Sequence, residues 1–476
     1  MNTGGPWPSA DEAEARVLEI QTKLHQWATD DPDRRFSDLD NLISDPAFLL
    51  VAWRRVRSNR GARTAGVDGE TAYYVTARLG EEQFLADLRA KLRARTFRPQ
   101  PVRERMIPKP GGKRRRLGIA TVRDRVVQAS LKLVLEPIFE ADFKPCSYGF
   151  RPGRRAHDAI AEIHHFCSRS YEWVVEGDIK ACFDEISHSA LMDRVRHRIG
   201  DKRVLRLVKA FLKAGILGED GAQRDTNTGT PQGGILSPLL SNIALSVLDE
   251  HFAEAWAKVA PHARETRRRK GLANYRLIRY ADDFVVLVAG TEAHAESLRD
   301  ESAAVLQTMG LRLSDEKTRI VHIDEGFDFL GFRIQRQQKR GTAKRYVYTY
   351  PSKSALATVK ARVRALSKGT TNQSLKVLLH RLNRVLRGWT NYFRYGVPKV
   401  TFAYLSAFAW WRVWSWLARK HRRRNWGWLR RRYLRGQRQT EDGVALFQPT
   451  MVGSIRYRYW GERISSPWPA MTTGTM

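Results

Sequence analysis

The sequence predicts an α+β fold: helices and a mainly antiparallel sheet to about residue 350, an all-helical unit after Pro351, then a basic C-terminal region. Three observations carry this. Between Leu277 and Val288, two apolar, β-branched runs flank Ala281-Asp282-Asp283, which reads as a β-hairpin with two carboxylates at its tip. After Pro351 the apolar residues recur at steps of three and four. The charge is extreme, with 83 Lys and Arg against 50 Asp and Glu, a net +33 over 476 residues.

Hydrophobic residues make up 42% of the chain, enough for several cores and roughly two to four domains. So basic a protein is expected to neutralise a polyanion, most often nucleic acid. Cys146, Cys167 and Cys182 show no CxxC spacing, which argues against a disulfide framework or a zinc site. A reducing cytoplasm, close to the nucleoid, is the expected location. No apolar run is long enough to span a membrane, and the N-terminus carries no signal-peptide pattern.

Residues 1–10 are rich in Gly and Pro and are expected to lack regular structure. Val17, Ile20, Leu24 and Trp27 mark an amphipathic helix, and Asp45-Pro46 opens a second one through Phe48, Leu49, Ala52, Trp53 and Val56. Residues 82–96 form a third. Val102–Thr121 reads as a hairpin around Pro110-Gly111-Gly112 whose alternation gathers cations on one side, suited to a triphosphate. An ordinary charged hairpin fits that stretch as well. Helices follow from Arg123 and over Ala156–Phe166, then an apolar strand ends in the acid Asp178. Two basic helices span residues 189–214. Thr230-Pro231-Gln232-Gly233-Gly234 is a rigid loop before the helix at Leu239, and Arg264–Lys270 is a basic insert before the acidic hairpin.

Past the hairpin come a helix over 293–309, a turn and strand to Val321, and a strand pair over 327–334. Three stripes then define three helices: Leu356, Val359, Val363 and Leu366; Leu375, Leu378, Leu382, Leu386 and Trp389; Phe402, Leu405, Phe408 and Trp411. Residues 419–438 hold ten Lys or Arg, no acid, and Trp426, Trp428 and Tyr433. Cations interleaved with aromatics suit phosphate contact and base stacking.

On its own Asp282-Asp283 reads equally as a solvated turn, since Asp favours turns. If the strand ending at Asp178 neighbours the hairpin, three carboxylates converge. Such oxygen ligands suit Mg2+, and two ions roughly 4 Å apart can clamp an in-line phosphoryl transfer.

Tyr280-Ala281-Asp282-Asp283 resembles the YxDD box of reverse transcriptases, in the form usual for the bacterial group II intron-encoded class. Around it, in that family's order, stand Ile107-Pro108-Lys109-Pro110-Gly111, Ser147–Pro152, Gly177-Asp178-Ile179-Lys180 with Phe183–Ile186, Thr230–Gly234, Asp315–Thr318, Phe329–Phe332 and Leu386–Phe393. The resemblance implies a right-hand polymerase. It has an N-terminal helical extension (1–75), fingers and palm (76–350), a thumb or maturase domain (351–418) and a basic, DNA-binding-like region (419–476).

It implies Asp178, Asp282 and Asp283 as catalytic residues and, with the Ile179 carbonyl, as ligands of two Mg2+ ions. Lys109 and Arg115 would grip the triphosphate, although Arg116 stands where the family usually has proline and is a second candidate. Phe183 would be a steric gate against the 2′-hydroxyl of a ribonucleotide. Gln232 would line the nucleotide pocket, and Lys317 would protonate pyrophosphate or be an ordinary surface lysine. Arg387, Trp389, Arg422, Arg423, Arg424, Arg430, Arg431 and Arg432 would contact RNA or DNA. The implied partners are a group II intron RNA, target DNA with its primer, and dNTPs, with no membrane.

The expected activity is RNA-directed DNA synthesis with assistance to splicing and target-primed copying of the intron. Many members of the family continue into a Cys/His metal-bound endonuclease domain. Its cysteines are absent here, so the expectation is a borrowed primer, such as a nascent strand at a replication fork. Two competitors are a splicing-only maturase and a domesticated reverse transcriptase serving defence or DNA repair.

Overall fold

Both long helices at the N-terminus begin at residues suited to cap them. The computed structural model describes residues 7–108, 112 and 114–468. Ser9 caps the helix Ala10–Asp30 reciprocally, its hydroxyl accepting from the Glu12 N–H while the Glu12 carboxylate accepts from the Ser9 N–H at 2.8 Å. Asp45 accepts from the Ala47 N–H at 2.8 Å and opens the helix Pro46–Ser58. Of the stretch expected to be unstructured, Ser9 and Ala10 therefore belong to a helix start, and residues 1–6 lie outside the described residues.

Both helices pack on the helix Val122–Asp142. That helix buries Val126, Val127, Leu131, Val134, Leu135 and Ile138 and, with them, the polar Asp124, Gln128, Ser130 and Glu140, so it is buried on most of its circumference, as a central helix is. The N-terminal helices thus share one continuous core with residues out to Leu311.

Strand β1 (Val102–Pro108) pairs antiparallel with β2 (Arg114–Ile119). The central sheet starts with β3 (Trp173–Asp178). Two short strands, β4 (Ile216–Leu217) and β5 (Gln223–Arg224), join the first hairpin in the order β2-β1-β4-β5. The acidic hairpin is β6 (Asn274–Tyr280) and β7 (Asp283–Ala289), and β8 (Arg319–His322) completes the central sheet in the order β6-β7-β3-β8, antiparallel throughout. Val175, Leu277, Phe284, Val286 and Val288 face the core that includes the helices Ser237–Ala257 and Glu292–Gln307. Val174, Ile278, Val285 and Leu287 face the helix Ala156–Cys167 and a further sheet. With both faces covered, β7 reads as an unbroken apolar run.

That further sheet is β9 (Phe327–Phe329), β10 (Phe332–Gln338) and β11 (Arg345–Pro351). The single sheet expected from sequence is therefore three, because the polar turn over residues 339–344 hides the start of β11 from a hydrophobicity reading. The helices Lys353–Lys368, Leu375–Phe393 and Lys399–Lys420 follow, around one core. The third stripe is out of phase with its expectation. Phe402, Leu405, Ala409, Val413 and Trp416 are buried, while Trp411 is 59% exposed. Repeated steps of three drift off a face that turns every 3.6 residues.

The chain after Pro351 is not wholly helical. The helix Trp426–Tyr433 packs Leu429 and Tyr433 into the helical core. A small sheet of β12 (Leu434–Arg435), β13 (Arg438–Glu441) and β14 (Val444–Ala445) then folds against it. Residues 449–468 return across the molecule as a strap. Ile455 bridges to Tyr395, Tyr459 reaches Phe166, and Trp468 lies beside His25 and donates from its indole Nε1 to the Gln21 side-chain Oε1 at 3.3 Å.

Candidate active site

Strand pairing alone brings the carboxylates together. In the β3–β7 ladder Asp178 stands opposite Asp283, and cross-strand partners project to one face of a sheet. Asp282 occupies the two-residue tip with Ala281, between Tyr280 and Asp283, which pair with each other. Ala281 takes φ +59°, a left-handed value that costs an L residue roughly 1–2 kcal/mol.

A buried clamp holds that tip. Arg279 is fully buried, its guanidinium donating to both Asp249 carboxylate oxygens, to Asn242 Oδ1 at 3.0 Å, to Ser147 Oγ at 2.7 Å and to the Ala281 carbonyl at 2.8 Å. Asn242 Nδ2 donates in turn to the Gly149 carbonyl at 2.9 Å. Gly149 lies so close to the tip that a Cβ there would sit 2.2 Å from the Ala281 nitrogen. The sequence reading passed over Arg279, Asp249 and Asn242. The available signal was a charged residue at an inward position of an apolar strand, which must find a partner.

Lys317 sits over Asp178, its ammonium donating at 2.6 and 3.1 Å to the two oxygens. Its loop is tied to the strand end, since the Ser314 N–H donates to the Asp178 carbonyl and the Lys180 N–H to the Arg312 carbonyl. Those two bonds flank Ile179 and use neither its N–H nor its carbonyl. The Asp178 carboxylate raises the Lys317 pKa. Asp283 is pushed up to about 6 by desolvation at the sheet edge and by the Asp282 and Asp178 charges, with Lys317 opposing.

The flanking wall is also assembled. Arg115 Nε donates to Gln232 Oε1 at 2.7 Å, and Gln232 Nε2 donates to Asp184 at 3.3 Å. Arg116, on the opposite face of β2, is 3.7 Å from Glu104 instead. Burial raises the Asp184 pKa, opposed by Arg116, Gln232 and Arg115. Phe183 is buried in the short turn Cys182–Glu185, and its carbonyl accepts from the Thr230 N–H at 2.6 Å. Gly229 makes that contact possible: it takes φ +79°, and a Cβ there would sit 2.5 Å from the Phe183 oxygen. Lys109 lies outside the described residues.

The remaining nucleic-acid candidates lie apart from this cluster. Arg422, Arg423, Arg424, Arg430, Arg431 and Arg432 are exposed on and before the helix Trp426–Tyr433, and Arg424 stacks on Trp428 at 5.1 Å. Arg387 is exposed beside Phe447. Trp389 is not an outward platform. It is half-buried, packed on Phe393 at 4.6 Å and Phe402 at 6.1 Å, because it sits on the apolar stripe of its helix. Tyr433 is likewise buried, in hydrogen bond with His421.

Paired carboxylates at a hairpin tip, with a third opposite on the next strand, supply the hard oxygen donors that metal-assisted phosphoryl transfer uses. Residues 107–334 match the reverse transcriptase (RNA-dependent DNA polymerase) family, and residues 356–434 match the group II intron maturase-specific domain. Over 359 residues the chain is 40% identical to protein YkfC of Escherichia coli K12, covering 71% of this chain and 93% of that protein. It is 32% identical over 376 residues to the group II intron-encoded protein LtrA of Lactococcus lactis, covering 69% of this chain and 61% of LtrA. It is 26% identical over 292 residues to nuclear intron maturase 1 of Arabidopsis thaliana mitochondria, covering 45% and 40%. The chain belongs to the family of group II intron-encoded reverse transcriptases and maturases.

Polymerases of this family depend on a divalent metal, generally Mg2+. Among the described residues no group of three or more His, Cys, Asp or Glu side chains is gathered tightly enough to hold a metal ion. The donor chemistry fits one: the site is a set of hard carboxylate oxygens, and a cation, Lys317, is already drawn onto Asp178. No helix among the described residues is long and apolar enough to cross a membrane.

Proposed function

We propose that this chain copies RNA into DNA and assists splicing of a group II intron RNA that it binds. The observation that carries the reading is the opposition of Asp178 and Asp283 across one ladder with Asp282 at the tip beside them. The folding units follow the right-hand plan: β1–β2 with the N-terminal helices as fingers, the central sheet as palm, and the three helices after Pro351 as thumb.

Asp178, Asp282, Asp283 and the Ile179 carbonyl would hold two Mg2+ ions. When bound, these supply Lewis-acid stabilisation of the attacking and leaving oxygens. The primer 3′-hydroxyl attacks the α-phosphate and pyrophosphate leaves. The Arg115–Gln232–Asp184 chain forms the wall against which base and triphosphate are oriented, with Arg116 also near enough to act on Asp184. Phe183 offers a 2′-hydroxyl a bulky ring and no hydrogen bond. Lys317, whose exposed ammonium rests on Asp178, would be the group to give a proton to pyrophosphate. The +33 charge offsets phosphate repulsion along the bound RNA.

The test is primer extension on an RNA template in Mg2+. Asp282→Ala should lower synthesis at least about a hundredfold and leave RNA binding unchanged. Synthesis that survives, or RNA binding lost by a folded variant, overturns the assignment. Splicing of the intron RNA at low Mg2+, with and without protein, tests the maturase activity separately.

A further inference from the structure

The basic insert and the aromatics of the C-terminal strap, which the polymerase reading leaves unused, meet at one place. Residues 261–269 form a helix, and its Arg264 lies over the Trp256 ring at 3.5 Å. Arg276 lies over the same ring at 4.8 Å. The strap comes across this point and forms one side of an open cavity of about 550 Å3 lined by Trp256, Arg276, Arg458, Tyr459, Trp460 and Arg463. Arg458 stacks on Trp460 at 4.1 Å. Arg276 starts near the open end of β6, six positions before Asp282, so the cavity is roughly 20 Å from the catalytic tip along the strand.

Its chemistry is one-sided. Arg276 is already matched by Glu162, on which its Nε donates at 2.7 Å and Tyr459 also donates. Among the described residues, Arg264, Arg458 and Arg463 have no carboxylate at ion-pair distance. The Nε atoms of Arg264 and Arg267 are buried with no hydrogen-bond partner. Trp460 keeps 39% of its surface exposed. Guanidinium planes layered on indole rings, beside arginines with no carboxylate partner among the described residues, suit a flat ring that carries a negative charge. Bases stack on both aromatic and guanidinium planes, and exposed arginines suit phosphate. The volume lies within the usual range for a small-ligand site, about 300–1,000 Å3.

We propose that this cavity binds one unpaired nucleotide, its base stacked at Trp460 and its phosphate held by Arg458 and Arg463. The site is separate from the polymerase centre. The nucleotide can come from a single-stranded stretch of RNA or from a free mononucleotide.

The test uses the full chain and a short oligouridylate carrying 4-thiouridine, photocrosslinked and mapped by mass spectrometry, so that its readout is independent of DNA synthesis. Crosslinks are expected in residues 256–276 and 458–463. Trp460→Ala should reduce them about five- to hundredfold, and the exposed Arg463→Ala should reduce them too if the first variant folds poorly. Crosslinks at these segments that excess AMP removes identify a mononucleotide site. Crosslinks that AMP leaves in place identify one that needs the RNA chain. Absence of crosslinks from both segments, or crosslinks insensitive to both substitutions, overturns the proposal.

Discussion

Two carboxylate–cation pairs flank the hairpin tip, one beneath it and one above, and they do opposite things. Arg279 and Asp249 are both fully buried, and the arginine spends its donors on four partners. Lys317 and Asp178 are respectively 62% and 26% exposed at the side chain, and among the described residues the lysine has a single hydrogen-bond partner. The first pair cannot open without stranding a charge in the core. The second can part into solvent at little cost, as a site that must accept a cation and a triphosphate requires. Burial, more than charge type, separates scaffold from placeholder.

The largest effect that tests this difference is loss of the clamp. Arg279→Met leaves Asp249 buried and unpaired, so chemical denaturation should show a loss of about 3–5 kcal/mol. A smaller loss would mean that Asp249 finds another donor, and the clamp would lose its role as scaffold. DNA synthesis should fall further than stability alone explains, since the Ala281 carbonyl loses its anchor.

A third carboxylate sharpens the comparison because it is buried without a cation. Asp124 accepts from Thr121 Oγ1 at 2.8 Å and from the Gln100 N–H at 3.2 Å, and burial still pushes it up to about 6. Its folded pKa lies above the ordinary carboxylate value, so the folded state binds more protons between about pH 4 and pH 6. Stability contributed by this group should therefore fall as pH rises through that window, by at most about 3 kcal/mol, and stay level above it. Asp124→Asn keeps both hydrogen bonds and should flatten that slope in urea titrations at successive pH values. An unchanged slope would assign it to other groups.

The smallest stability effect belongs to the exposed pair. Lys317→Met should change unfolding free energy by less than about 1 kcal/mol while lowering the rate of primer extension. A loss of several kcal/mol would place Lys317 with Arg279 as scaffold and remove the contrast between the pairs.

Much of the site was legible before any tertiary information. The β-branched runs around Ala281-Asp282 made a hairpin almost unavoidable, and Tyr171–Ile179 read as a strand ending in an acid, which the structure narrows to Trp173–Asp178. The cationic alternation of β1–β2 was visible as well. Arg115 and Arg116 could not be separated, because choosing between faces of a strand needs the neighbour on each side. Gln232 lies on one side and Glu104 on the other. Trp389 carries two readings, an inward position on the apolar stripe of its helix and a nucleic-acid contact implied by the family resemblance, and the structure keeps it half-buried against Phe393 and Phe402.

By itself the sequence determined most of the long helices, the strands that carry the carboxylates, and that the whole must meet a polyanion. These follow from local periodicity and composition, which every short window carries. Only the tertiary structure decided which charges meet: Arg279 with Asp249, Lys317 with Asp178 across 139 positions, and Arg276 with Glu162. The physical reason is that a buried or paired charge is satisfied by any partner of the right sign. Local sequence leaves that choice open, and packing of the core removes all but one.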